Sequence, residues 1–181
     1  MARTYTLATF RTRCKRRADQ DNDSFIADAE WNTLISEVYG DLFQVVVDTG
    51  ARYFETESTI TATGATSYNE PSDILHMISI DYVSGTKRRM LDELMIQERQ
   101  AILGRTGEAF FWEFVDDQIY LHPNPASGTY KARYIPQPPD LSAYADGDSI
   151  DVACPAGERF LIWGVAAIGL DPCASREIAE Q

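Results

Sequence analysis

Residues 28–64, DAEWNTLISEVYGDLFQVVVDTGARYFETESTITATG, change periodicity part-way along, and that change decides the fold class. In the first part Trp31, Leu34, Ile35, Val38, Leu42 and Val46 recur at the 3.6-residue period of an amphipathic helix. Asp28 is placed to cap its start and Gly50 to end it. From Arg52 the texture is different. STITATGATSY (58–68) alternates threonine with small or apolar residues, which predicts a β-hairpin turning near Gly64 with one face exposed.

Strand signals continue downstream. HMISIDYVSGTKRRM (76–90) predicts a strand through Val83 and a turn at Ser84-Gly85; FFWEFVDDQIYLHPNP (110–125) predicts two strands around Asp116-Asp117, and GTYKARYI (128–135) a third. Between them Leu94, Met95 and Ile102 suggest a helix from Asp92 to about Leu103, stopped by Gly104. The β part therefore reads as an antiparallel meander, since only the loop holding that helix is long enough for a parallel crossover.

Upstream, Leu7, Phe10, Cys14 and Ala18 define a short helix over residues 6–18, and downstream FLIWGVAAIGL (160–170) is a helix apolar all round. Such a helix must be covered on most sides, by helix 2 or by a neighbouring subunit. The expected fold is α+β: an α-helical bundle of two N-terminal helices plus the C-terminal helix, with an inserted antiparallel β lobe containing one helix. Its expected organisation is one domain over 1–181, with a helical core of 1–51 and 153–181, a β-rich lobe of 52–137, and an extended proline-rich connection of 138–152.

Composition narrows function. The chain has 16 Lys and Arg against 28 Asp and Glu, a net charge of -12. Arg3, Arg11, Arg13, Lys15, Arg16 and Arg17 all precede the first acid, Asp19, so the remaining body is strongly acidic and would repel a duplex. Cys14, Cys154 and Cys173 are odd in number and lack metal-ligand spacing, which suggests a reduced, intracellular origin. The greasiest run is too short for a bilayer, which takes roughly 20 residues; no membrane is expected.

No catalytic constellation emerges. His76 and His122 have no second ligand at metal spacing, Asp116-Asp117 suits a turn better than an acid–base pair, and Cys14 lies on an apolar stripe with no histidine nearby. No enzymatic activity, metal or cofactor is expected.

FRTRCKRRADQDNDS (10–24) could be a nucleic-acid arm, but a helical projection spreads Arg11, Arg13, Lys15, Arg16 and Arg17 around the apolar stripe. A groove-reading helix would gather them on one side. Salt bridges within or between subunits are the better reading, with non-specific phosphate contact the other.

Four segments together resemble a known family: LATFRTRCKRRADQDNDSFIADAEWNTLISEVYGDLFQVVV (7–47), SYNEPSDILHMISIDY (67–82), QIYLHPNPASGTYKARYIPQPPDL (118–141) and the closing apolar helix. The chain resembles the head-to-tail connector (adaptor, head completion) proteins of tailed bacteriophages. The resemblance implies a non-enzymatic virion protein made in the host cytoplasm and located at the head-tail neck. It implies a ring of twelve copies beneath the portal, with a channel for DNA and a docking surface for tail or neck proteins. A tail completion or baseplate-associated structural protein is the alternative, and a small nucleic-acid-binding protein using the basic N-terminal helix is the alternative of another class. Within the connector reading, Arg11, Arg13, Lys15, Arg16 and Arg17 are candidates for the subunit interface or DNA channel. Arg176 and Ile178 are candidates for portal contact, because short amphipathic chain ends often order on a partner.

Overall fold

The computed structural model describes residues 4–20, 26–50, 52–95, 97, 99–102, 104–152 and 155–170. The chain divides into two compact units, one of residues 1–53 and 138–181 and one of residues 54–137. Helices and predominantly antiparallel strands make it α+β.

In the first unit β1 (Thr4–Thr6) leads into α1 (Leu7–Arg17), whose first turn is capped by the Thr6 hydroxyl accepting from the Thr9 N–H at 3.3 Å. α2 (Asp28–Asp48) keeps the periodicity of its sequence: Trp31, Leu34, Ile35, Val38 and Leu42 are buried. Its start differs from expectation. Ala27 occupies the cap position, its N–H donating to Glu30 at 2.7 Å, while Asp28 is the first helical residue and turns its carboxylate to α1. The acid is worth more there, because it neutralises two cations.

α4 (Pro155–Gly169) packs against both helices through Leu161, Val165 and Ala166. Small residues set that packing: a Cβ on Gly164 would lie 2.7 Å from Val38 Cγ1, and one on Gly169 2.7 Å from the Trp31 ring. Residues 138–152 are more than an extended connection. They contain a 3-10 turn at Leu141–Ala143 and β10 (Ser149–Asp151), which pairs antiparallel with β1, and they bury Leu141, Ile150 and Val152 in the helical core.

The second unit contains two four-stranded sheets. One runs β2 (Thr56–Ala62), β9 (Gly128–Pro136), β4 (Ile74–Ser84), β5 (Lys87–Met90) in spatial order. The other runs β3 (Tyr68–Asn69), β8 (Gln118–His122), β7 (Phe111–Val115), β6 (Asp92–Glu93). Ile60, Ile80, Tyr130 and Ala132 of the first sheet share one core with Trp112, Ile119 and Leu121 of the second.

β4, β7, β8 and β9 lie where the sequence predicts strands; the pairing of the sheets differs from a meander. β2 pairs with β9, Ile60 opposite Tyr130, so the expected hairpin around Gly64 is absent and the lobe is not a meander. Alternation sets which face is buried and leaves the partner open. The helix expected over 92–103 reduces to α3 (Arg99–Ile102), ahead of Gly104 at φ +80°. Asp92 and Leu94 instead donate their N–H groups to Phe110 and Trp112, making β6 a parallel neighbour of β7. That crossover uses the one loop long enough for it. Two turns lie where the sequence predicts them: Asp116 and Asp117, at φ +48° and +59°, form a two-residue hairpin turn, and Gly85 at +61° turns β4 into β5.

Candidate assembly surfaces

The cations of α1 are largely used inside the first unit. Arg11 is buried; its guanidinium donates to Asn32 Oδ1 and Asp146 Oδ1, both at 2.9 Å, and lies 3.2 Å from Asp28. Lys15 donates to Asp28 at 2.5 Å, a bond that, with the Arg11 charge, holds the Asp28 carboxyl below the usual carboxylate range. Arg13 pairs with Glu158 and lies over the Tyr5 ring at 4.6 Å, while Tyr5 donates to the same carboxylate at 2.8 Å. Arg17 lies 3.3 Å from the centroid of the Trp163 ring, and Arg16 is exposed. The reading of these residues as salt-bridge partners thus has a specific form in Arg11, Arg13 and Lys15. Arg176, Ile178, Cys154 and Cys173 lie outside the described residues.

Burial of Cys14 on the stripe of α1 pushes its thiol up to about 12, which leaves it protonated and unreactive. His122 is buried in β8 with Nε2 3.6 Å from Glu113 Oε2; burial lowers its pKa, and the Glu113 carboxylate acts in the opposite direction. Among the described residues no three His, Cys, Asp or Glu side chains are grouped to hold a metal, and no helix is long and apolar enough to cross a membrane.

Three other surfaces stand out, and sequence reading had not isolated them. Along the outside of α4 run Phe160, Trp163 and Leu170, at 44%, 56% and 58% exposure. Among the described residues, the run that reads as apolar all round is therefore covered on one side only. Their spacing of three and seven residues was the available signal. On α2 the opposite chemistry appears, with Glu37, Asp41 and Asp48 exposed beside Val45. In the second unit an open groove of about 650 Å³ is lined by Leu75, Met77, Trp112 and Phe114 together with the acids Glu70, Glu93 and Asp117. It arises where β4 runs past the end of β5, an arrangement that depends on long-range strand order.

Each of these surfaces offers exposed apolar or charged area to another macromolecule. No curated protein matches the chain. A family model described as SU10 adaptor protein matches residues 5–168, nearly the whole chain and both units. The chain therefore belongs to the SU10 adaptor protein family, a family of phage head-to-tail adaptors, and is a structural protein of the virion.

Proposed function

We propose that this protein is the head-to-tail connector that closes beneath the portal as a ring, most simply of twelve copies, with a central channel for the genome. The observation that carries the reading is the family match over residues 5–168. A closed ring requires a heterologous interface, in which one surface of each subunit meets a different surface of the next. The first unit offers surfaces of opposite character for that purpose. In this reading residues 54–137 form an inserted lobe, the C-terminal segment around Arg176 and Ile178 contacts the portal, and the role is structural, with no catalysis or cofactor.

The net charge of -12 suits a channel through which DNA slides, since strong phosphate contacts would hold it. Any contact of the basic helix α1 with a passing duplex would depend on charge and be independent of sequence. The groove of the second unit, lined by acidic as well as apolar side chains, favours a docking role toward tail or neck proteins. The same groove supports the second reading, a tail completion or baseplate-associated protein.

Mixing the purified chain with its portal and imaging the product by negative-stain electron microscopy tests the proposal. Rings stacked coaxially on the portal are expected. A chain that stays monomeric and unbound with portal present contradicts it.

A further inference from the structure

The outer stripe of α4 is longer than its large residues alone. Ala156, Phe160, Trp163, Ala167 and Leu170 are all exposed and are spaced by four, three, four and three residues, the spacing of a helix seam that packs on another helix. Scattered exposed apolar residues are ordinary, whereas a continuous stripe marks a contact surface. It is flanked by Arg17, stacked on Trp163, and by the exposed Arg159; among the described residues no carboxylate pairs with either.

On α2 the acids Glu30, Glu37, Asp41 and Asp48 follow at seven, four and seven residues, which at about 100° per residue keeps them within about 40° of one another. Glu30 is occupied by the Ala27 N–H and Asp48 by the Gln44 amide, but Glu37 and Asp41 have no cationic partner among the described residues. Val45, 51% exposed, sits between Asp41 and Asp48.

We infer that the α4 stripe of one copy packs on the acidic stripe of α2 of the next, with Trp163 over Val45 and with Arg17 and Arg159 facing Glu37 and Asp41. The inference rests on the ring reading and names the surfaces that would close it. Charge excludes the symmetric alternatives. Two α2 stripes would oppose acids, and two α4 stripes would bring Arg17 and Arg159 against their own kind. Only the unlike pairing satisfies both surfaces, and it is head-to-tail by construction. Trp163, an aromatic with an arginine stacked on it, is the kind of anchor that dominates binding energy.

The test uses the full-length chain in three forms: Trp163→Glu, Arg17→Glu with Arg159→Glu, and Glu37→Arg with Asp41→Arg. Circular dichroism checks that each is folded, and light scattering with electron microscopy follows assembly, with portal added where the wild type needs it. Each variant alone should need about tenfold more protein, or beyond, to assemble. Mixing the two charge-reversed proteins in equal amounts should restore rings, because alternating copies then present opposite charges at every contact. Rings unaffected by all three variants, or lost and not restored by mixing, overturn the inference and leave the ring reading standing. Trp163→Glu rings that form normally but fail to bind portal would assign the stripe to the portal and also overturn it. A wild-type chain that never assembles, with portal present, contradicts both.

Discussion

Arg11 of α1 donates to Asn32 of α2 across 2.9 Å, and the same guanidinium reaches Asp28 and Asp146. One buried cation thus ties α1 to α2 and to the segment preceding β10.

Replacing Arg11 by alanine strands the Asn32 amide oxygen and removes a shared partner from two acids. Breaking a buried pair costs about 3–5 kcal/mol, but here the carboxylates are 59% and 65% exposed, so we expect about 2–3 kcal/mol. Urea denaturation should show that loss. Arg11→Lys should recover only part of it, because an ammonium lacks the planar fork that reaches several acceptors.

Asp28 sets a pH dependence. Its carboxyl lies below the ordinary range when folded, chiefly through the Lys15 hydrogen bond, so its contribution is complete above the unfolded value and is lost as pH falls through the folded one. Melting temperature should therefore decline on acidification, and the Asp28→Asn protein should show a shallower decline over the same range. Equal slopes would assign the acid sensitivity elsewhere.

Glycines in α4 test helix packing by sign. At an open helical site Gly→Ala stabilises by about 1 kcal/mol. At Gly157 the added Cβ would lie 2.4 Å from the Val152 carbonyl oxygen, and at Gly164 2.7 Å from Val38 Cγ1. Both alanine variants should be destabilised by about 1–3 kcal/mol, Gly157→Ala the more, because backbone yields less than a side chain. A stabilised variant would mean that α4 stands farther from Val38 at residue 164, or from the Val152 carbonyl at residue 157.

Cys14 should be silent to thiol reagents. In a chain with Cys154→Ser and Cys173→Ser, we expect no reaction of the folded protein with a chromogenic disulfide at mildly alkaline pH, and one reactive thiol in denaturant. Prompt reaction in the native state would place Cys14 at the surface.

What could be read in advance follows from how far each interaction reaches along the chain. The period of α2 is local, and Trp31, Leu34, Ile35, Val38 and Leu42 were legible in it, whereas Val46 is only half-buried and the burial of Asn32, Tyr39 and Phe43 on the same helix was missed. The dispersal of the α1 cations was legible too: the projection places Arg11 beside Leu7 and Cys14, which is where it is buried. Its partner Asp146 lies 135 residues away and carried no signal. β2 showed its buried face, Ile60 and Ala62, but its partner β9 begins 66 residues after β2 ends. At 92–103 the few apolar residues suited a helix as well as a strand, and hydrogen bonds to Phe110 and Trp112 decided for the strand. The α4 stripe was visible as hydrophobicity but not as a surface, because exposure depends on how α1 and α2 pack.

The central claim concerns position and assembly, and a cryo-electron microscopy map of the assembled particle's neck tests it most directly. This chain is expected as a closed ring immediately beneath the portal, with the genome channel passing through its centre. Density for the chain at the baseplate, or as isolated copies with no ring beneath the portal, would contradict it.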